Sequence, residues 1–123
     1  MSTDIIADTM NQIMNARRAN KKTIRTTRFS KLLLNVLEIM KKQEYIDYRV
    51  EGNHLIINII SVTECKAIKP RYSVNMKNID KYIRRFLPSR NFGYVVVSTN
   101  KGLMLHPEAL ENKIGGSLIA FFY

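Results

Sequence analysis

The sequence predicts an α+β fold, and three observations carry that prediction. Apolar residues recur at helical spacing near the N-terminus and again after residue 29. They alternate with period two in the stretch that follows, around a tight Glu51-Gly52-Asn53 turn. The second half breaks into short apolar extended runs and short helical segments, punctuated by Pro70, Pro88, Pro107 and Gly115-Gly116.

Ser2 or Thr3 can cap a first helix, with Asp4 favourable at its positive end. Ile6, Met10, Ile13, Met14 and Arg17 follow at i, i+4, i+7, i+8 and i+11, so an amphipathic helix is expected over about residues 4–19. Residues 20–22 read as its exit turn and 23–26 as a short β-prone run. A second helix is expected over about 30–43, with Phe29, Leu32, Leu33, Val36, Leu37 and Met40 as its buried stripe. Residues 45–50 and 54–60 then read as a hairpin, with Leu55, Ile57 and Ile59 alternating as one-sided burial requires. The first half therefore reads α-β-α-β-β.

In the second half, 68–74 is extended around Pro70, and Asn78 can cap a helix that ends near Phe86 before Pro88. The run 92–97 holds three consecutive valines and reads as a strand buried on both faces. Residues 98–102 form a turn, 107–112 a short helix with Pro107 in its first turn, and 118–123 a closing apolar strand. A C-terminus this apolar is expected to be tucked into a sheet or against a partner.

Composition narrows function. The chain has 123 residues, 46% of them hydrophobic, which suits a modest core and not a disordered chain. No apolar run is long enough for a transmembrane helix, and no signal peptide is recognisable. The single cysteine, Cys65, excludes an intrachain disulfide and reads as a buried structural thiol. Twenty Lys and Arg against ten Asp and Glu give a net charge of +10, the balance of a domain built to meet a polyanion. The cations cluster. Arg17, Arg18, Lys21, Lys22, Arg25, Arg28 and Lys31 occur with no acid among them, and Lys77, Lys81, Arg84, Arg85 and Arg90 with only Asp80. Two such clusters on a small chain favour nucleic acid over a plain solvated face.

Enzyme chemistry finds little support. His54 and His106 have no partners at metal-ligand spacing, and Gly115-Gly116 is too short to cradle a phosphate. A hydrolase built on His106 and Glu108 lacks a recognisable group to orient the base. No catalytic residue, cofactor, metal or small-molecule substrate is expected. The polar tract Ser98-Thr99-Asn100-Lys101-Gly102 offers hydroxyls and an amide for sugar 2′-OH groups and base edges, with a lysine for a phosphate. This suits an irregular RNA stem, although the same residues also make an ordinary β-turn.

The tract Ser98-Thr99-Asn100-Lys101-Gly102-Leu103-Met104 resembles the signature of the universal eighth small-subunit ribosomal protein family: S-T-S-x-G, then an aliphatic residue and methionine. The opening Asp4-Ile5-Ile6-Ala7-Asp8 through Asn15-Ala16, and Ser30-Lys31 before a leucine-rich helix, fit the same family. The tracts 68–74, 87–93 and 106–109, Gly115-Gly116 and the aromatic C-terminus are similar to its archaeal and eukaryotic cytosolic branch. Three features depart from the pattern: Asn100 in place of serine, Lys66 in place of glycine, and a short hairpin at 51–53.

The resemblance implies two small packed α+β subdomains, here 1–62 and 63–123, the second a mixed β unit with short helices. It implies binding to an irregular stem in the central domain of small-subunit ribosomal RNA, a part in assembly, neighbouring ribosomal proteins as partners, and a cytoplasmic ribosome as location. By position match, Ser98, Thr99 and Asn100 would read the stem, supported by Lys101 and Gly102. Thr3, Asn11, Arg17, Ser30 and Lys31 are the N-terminal candidates, and Arg71 and Tyr72 are further ones. The alternative is a generic basic DNA-packaging protein, which would lack shape preference.

Overall fold

Helical periodicity near the N-terminus becomes α1 (Ile5–Arg18), which buries Ile6, Thr9, Met10, Ile13, Met14 and Ala16 along one face. The structure, a computed structural model, describes residues 5–69, 71–75, 77–89 and 92–123. The expected caps Ser2 and Thr3 fall outside the described residues. At the other end Asn20 takes φ 61, Asn20 N–H donates to Arg17 O (3.1 Å) and Lys21 N–H to Ala16 O (2.8 Å). These paired bonds close the helix as a Schellman motif.

The first unit runs to Cys65. After α1 come β1 (Thr23–Thr26), α2 (Lys31–Lys42), β2 (Ile46–Glu51) and β3 (His54–Ile59), so the α-β-α-β-β order of the sequence reading stands. The sheet is antiparallel in the order β1-β3-β2, with Ile24 and Tyr48 flanking Ile57. Ser30 caps α2, its Oγ accepting Leu33 N–H at 3.2 Å. α2 buries Leu33, Val36, Leu37 and Met40, whereas Phe29 and Leu32 are only half-buried. Tyr48 Oη donates to Glu38 Oε2 at 2.7 Å and ties β2 to α2. One-sided burial of β3 does not hold, because Ile56 is as inaccessible as Leu55 and Ile57. β3 is the central strand, and Ile56 lies between Arg25 and Arg49 in the register.

The second unit begins at Lys66. Its sheet contains β4 (Cys65–Ala67), β5 (Ser73–Val74), β6 (Tyr94–Thr99), β7 (Gly102–Leu105) and β8 (Gly116–Phe122), with α3 (Ile79–Phe86) and α4 (His106–Glu111). The order is β4-β8-β6-β7, with β5 also on β8. The C-terminal strand is therefore internal, as its apolarity suggested. A core of Ile68, Val74, Ile79, Ile83, Leu87, Val95, Val97, Met104, Ala109, Leu118 and Phe121 lies here. Val95, Val96 and Val97 are fully buried, so β6 is covered on both faces.

Three local readings need correction. β6 ends two residues later than expected, because Ser98 and Thr99 pair as strand residues and only Asn100-Lys101 turn. Asn78 makes no side-chain cap on α3. Asn75 is the capping amide: its Oδ1 accepts Lys77 N–H (2.9 Å) and Asn78 N–H (3.1 Å), while Asn78 Oδ1 accepts Asn75 N–H (2.7 Å). This is a reciprocal box one turn earlier than the sequence suggested. Finally, Lys66 sits in extended β4 with an exposed side chain, so no glycine is required there.

Candidate nucleic-acid interface

Small hydroxyl residues in a strand would ordinarily face solvent one at a time. Here the register gathers them. Ser98 pairs with Ser117 across β6–β8, and Ser117 pairs with Ser73 across β8–β5. Directly opposed residues share a face, so Ser73, Ser117 and Ser98 form a row leading to the β6–β7 turn. At the turn, Thr99 pairs with Gly102. Thr99 Oγ1 accepts Lys101 N–H at 3.1 Å and donates to Gly102 O at 2.8 Å. Its one proton is therefore used within the turn. Asn100 and Lys101 are exposed at the tip and Ser98 is half-buried. Gly102 has φ 106, a conformation that side chains rarely adopt, with open space where a Cβ would lie.

Close strand approach seats this hairpin. A Cβ on Gly116 would collide with Ser98 O and lie 3.2 Å from Thr99 Cα, and one on Gly115 would collide with Val74 O and lie 2.8 Å from Asn75 Cα. The glycine pair thus lets β8 pass tightly against both β5 and the end of β6. At the hairpin's base, His106 Nδ1 accepts Val95 N–H at 3.1 Å. Burial pushes the His106 imidazole down to about 4, against a weaker upward pull from Asp80. His106 is a neutral structural acceptor at neutral pH.

An exposed amide and lysine at the tip of a hydroxyl row, on a strongly basic chain, present donors to an oxygen-rich polymer. The family model for ribosomal protein S8 matches residues 4–123. The chain belongs to the ribosomal protein S8 family. It is 40% identical to small ribosomal subunit protein uS8 of Nanoarchaeum equitans across the full length of both chains. It is 34% identical to uS8A of Schizosaccharomyces pombe, over 97% of this chain and 96% of that one. It is also 34% identical to uS8 of Archaeoglobus fulgidus over all of both. A member of the ribosomal protein S8 family is a structural constituent of the small ribosomal subunit, not an enzyme.

Within the first unit of this ribosomal protein S8 relative, the N-terminal candidates separate. Asn11 is exposed on α1, one turn beyond Asp8, and Asp8 Oδ2 lies 3.6 Å from Arg28 Nη1. At the start of α2, Ser30 caps the helix and Lys31 is exposed. Arg17 lies at the opposite end of α1, with Nε donating to Val62 O at 2.6 Å. Thr3 lies outside the described residues, as does Arg90. In the second unit Arg71 is exposed, but Tyr72 is committed to packing. It stacks on Tyr82 at 5.0 Å between centroids, and Arg85 lies over it at 5.5 Å.

Sequence reading missed Ser73 and Ser117. Isolated serines carry no signal, and only strand register brings them to Ser98. Cys65 is buried, its Sγ donating to Met10 O at 3.6 Å, and burial with the Glu64 charge pushes the thiol up to about 12. Among the described residues no three His, Cys, Asp or Glu gather to hold a metal, and no helix is long and apolar enough to cross a membrane.

Proposed function

We propose that this protein binds an irregular stem in the central domain of small-subunit ribosomal RNA and supports assembly of the subunit, with the β6–β7 hairpin as the reading element. The observation that carries the reading is the hydroxyl row Ser73–Ser117–Ser98 running into the exposed Asn100-Lys101 tip. Ser98 and Asn100 contact sugar hydroxyls and base edges, Thr99 holds the turn's shape, and Lys101 meets a phosphate. Asn11, Ser30 and Lys31 contact backbone through the first unit. Thr3 and Arg71 are further backbone contacts, and Tyr72 acts through packing. Neighbouring small-subunit proteins are partners, and the ribosome is the cytoplasmic one.

A binding titration at two salt concentrations tests this reading, using the irregular stem and the same stem repaired to a regular duplex. Counterion release makes the backbone contribution fall with salt on both probes. Preference for the irregular stem that survives higher salt is the expected result. Equal binding that collapses together would leave a basic protein without shape recognition.

A further inference from the structure

Away from the hairpin, the sheet of the first unit leaves an edge open. β2 pairs with β3 on one side, and among the described residues no strand pairs with its other side. The register tells which groups lie on that edge. Ile59 N–H donates to Lys22 O at 2.7 Å, so Leu55, Ile57 and Ile59 aim their main-chain groups at the β1 side. Opposite them on β2 stand Val50, Tyr48 and Ile46, which therefore aim theirs away from β3. Tyr48 N–H fits this direction, because it donates to the exposed Asp47 carboxylate at 2.9 Å. An open edge of this kind invites another strand. Val50 lies on the same face as Tyr48, which is tied to α2 through Glu38, yet Val50 is 45% exposed, so this end of the strand is uncovered.

The order of residues along this edge is self-complementary. Ile46-Asp47-Tyr48-Arg49-Val50 reads apolar, acid, tyrosine, base, apolar. Antiparallel pairing of two copies about a two-fold axis at Tyr48 sets each Asp47 opposite Arg49 of the other copy, and each Val50 opposite Ile46. Outward main-chain groups then meet outward main-chain groups. Ile46, Tyr48 and Val50 form the hydrogen-bonded pairs, and Asp47 and Arg49 form the closer pairs in which side chains interact most. Moving the axis to Asp47 or Arg49 would set like charge against like charge. We propose that the β2 edge is a self-association surface, on which two copies of this chain join their three-stranded sheets into one. The ties that must open are exposed: Asp47 Oδ1 to Lys41 Nζ at 3.4 Å, and Arg49 Nε to Glu51 Oε1 at 2.6 Å. Such pairs contribute little in water and exchange readily for a pair between copies. In the lone chain Asp47 covers Tyr48 N–H and guards the edge. In the dimer Asp47 turns to Arg49 of the other copy and frees that N–H for Tyr48 O across the axis. Asp47 and Glu51 make the edge a poor surface for phosphate, so a strand suits it better than RNA. This association is independent of RNA binding.

Sedimentation equilibrium of the full RNA-free chain tests the surface, at raised salt so that repulsion between two +10 chains is screened. The wild-type protein should show a reversible monomer–dimer equilibrium. Asp47→Arg and Arg49→Asp should each weaken dimerisation by at least about tenfold, because each sets two like-charge pairs face to face. An equimolar mixture of the two variants should restore it, since the acids of one copy then meet the bases of the other. Both positions are exposed, so both variants should fold, and thermal unfolding checks that they do. Thiols read the register. Under mild oxidation a mixture of Asp47→Cys and Arg49→Cys proteins should form a disulfide-linked dimer, whereas either protein alone should not. Opposed residues lie about 4.5 Å apart between Cα atoms, while like-numbered ones lie beyond the ~7 Å that a disulfide spans. Cys65 is buried, so the wild-type protein is the unlinked control. A wild-type chain that stays monomeric at every concentration would overturn the proposal and leave the edge to a strand of another protein. A dimer that both charge reversals leave intact would put the association on a different surface and overturn it equally.

Discussion

The β2–β3 and β6–β7 hairpins both turn in two residues, yet they are built differently. In β2–β3, Glu51 pairs with His54 and the positive φ falls on Gly52, at the first turn position. That arrangement follows strand twist with backbone alone. In β6–β7 the turn residues Asn100 and Lys101 keep negative φ, and the positive φ comes afterwards, at Gly102. The glycine is displaced out of the turn, leaving the tip to carry two exposed polar side chains, and the Thr99 hydroxyl bridges the turn internally. The first hairpin ends a strand; the second displays an amide and a cation in a fixed frame. The shape of β6–β7 depends on residues outside the turn, so it should be the easier one to break.

The largest effect is expected from Gly116→Ala. The new methyl would meet Ser98 O in a sheet with little freedom to relax, so unfolding stability should fall by about 3 kcal/mol. Preference for the irregular stem should fall with it. Gly52→Ala, where open space surrounds the missing Cβ, should cost only about 1 kcal/mol through its φ and leave RNA preference intact. Urea unfolding with parallel binding measurements separates the two. Similar losses in both variants would mean that the close approach of β8 does not seat the reading hairpin.

The base of the β6–β7 hairpin should make the second unit acid-sensitive. His106 titrates near 6.5 when unfolded and at about 4 when folded, so the unfolded chain takes up the proton first as pH drops. The stability contribution is complete above pH 6.5 and is lost as pH falls from there through 4. Allowing for partial solvent screening, the loss is on the order of 2 kcal/mol. His106→Gln, which can still accept from Val95 N–H, should flatten stability across that window. An unchanged pH profile would remove His106 as the cause.

Smaller and more selective effects follow at the hydroxyls. Ser98→Ala should leave stability within about 0.5 kcal/mol and reduce binding to the irregular stem by about 1–2 kcal/mol. Thr99→Ala should reduce both stability and binding by about 1 kcal/mol, because its hydroxyl holds the turn. Thr99→Ser should restore most of that loss. If Ser98→Ala weakened cognate and random RNA alike, the row would be a charge-neutral bystander to backbone binding.

These contrasts mark what the sequence could reveal. α1 and α2 were legible because a 3.6-residue period runs through several apolar side chains, and the buried β6 because three valines leave no polar face. The Ser98–Gly102 tract was legible as a polar turn, and by resemblance as a reading loop. What escaped depends on distance in the chain: the pairing of Ser73 with Ser117, and the clash that makes Gly116 necessary. Asn75 escaped for a different reason. Asn75 and Asn78 carry identical amides three residues apart, and only geometry tells which one accepts the helix-end N–H groups.

The final contrast sets the two units against each other. In the second unit the candidate side chains are supported by the turn that carries them. In the first, Lys31 stands against its own helix. It occupies the opening residue of α2, where the unpaired N–H groups and the dipole favour an acid, and no acid lies in that first turn. A cation there costs local stability and is useful only if an anion meets it. Lys31→Glu should therefore stabilise the free protein by about 0.5–1 kcal/mol while weakening binding to regular and irregular stems alike. Thermal unfolding and titration of the same preparation give both numbers. Lower stability in the variant would mean that Lys31 has a structural partner in the free protein. Higher stability with unchanged binding would mean that no phosphate lies at the start of α2, confining the backbone contacts of the first unit to other cations.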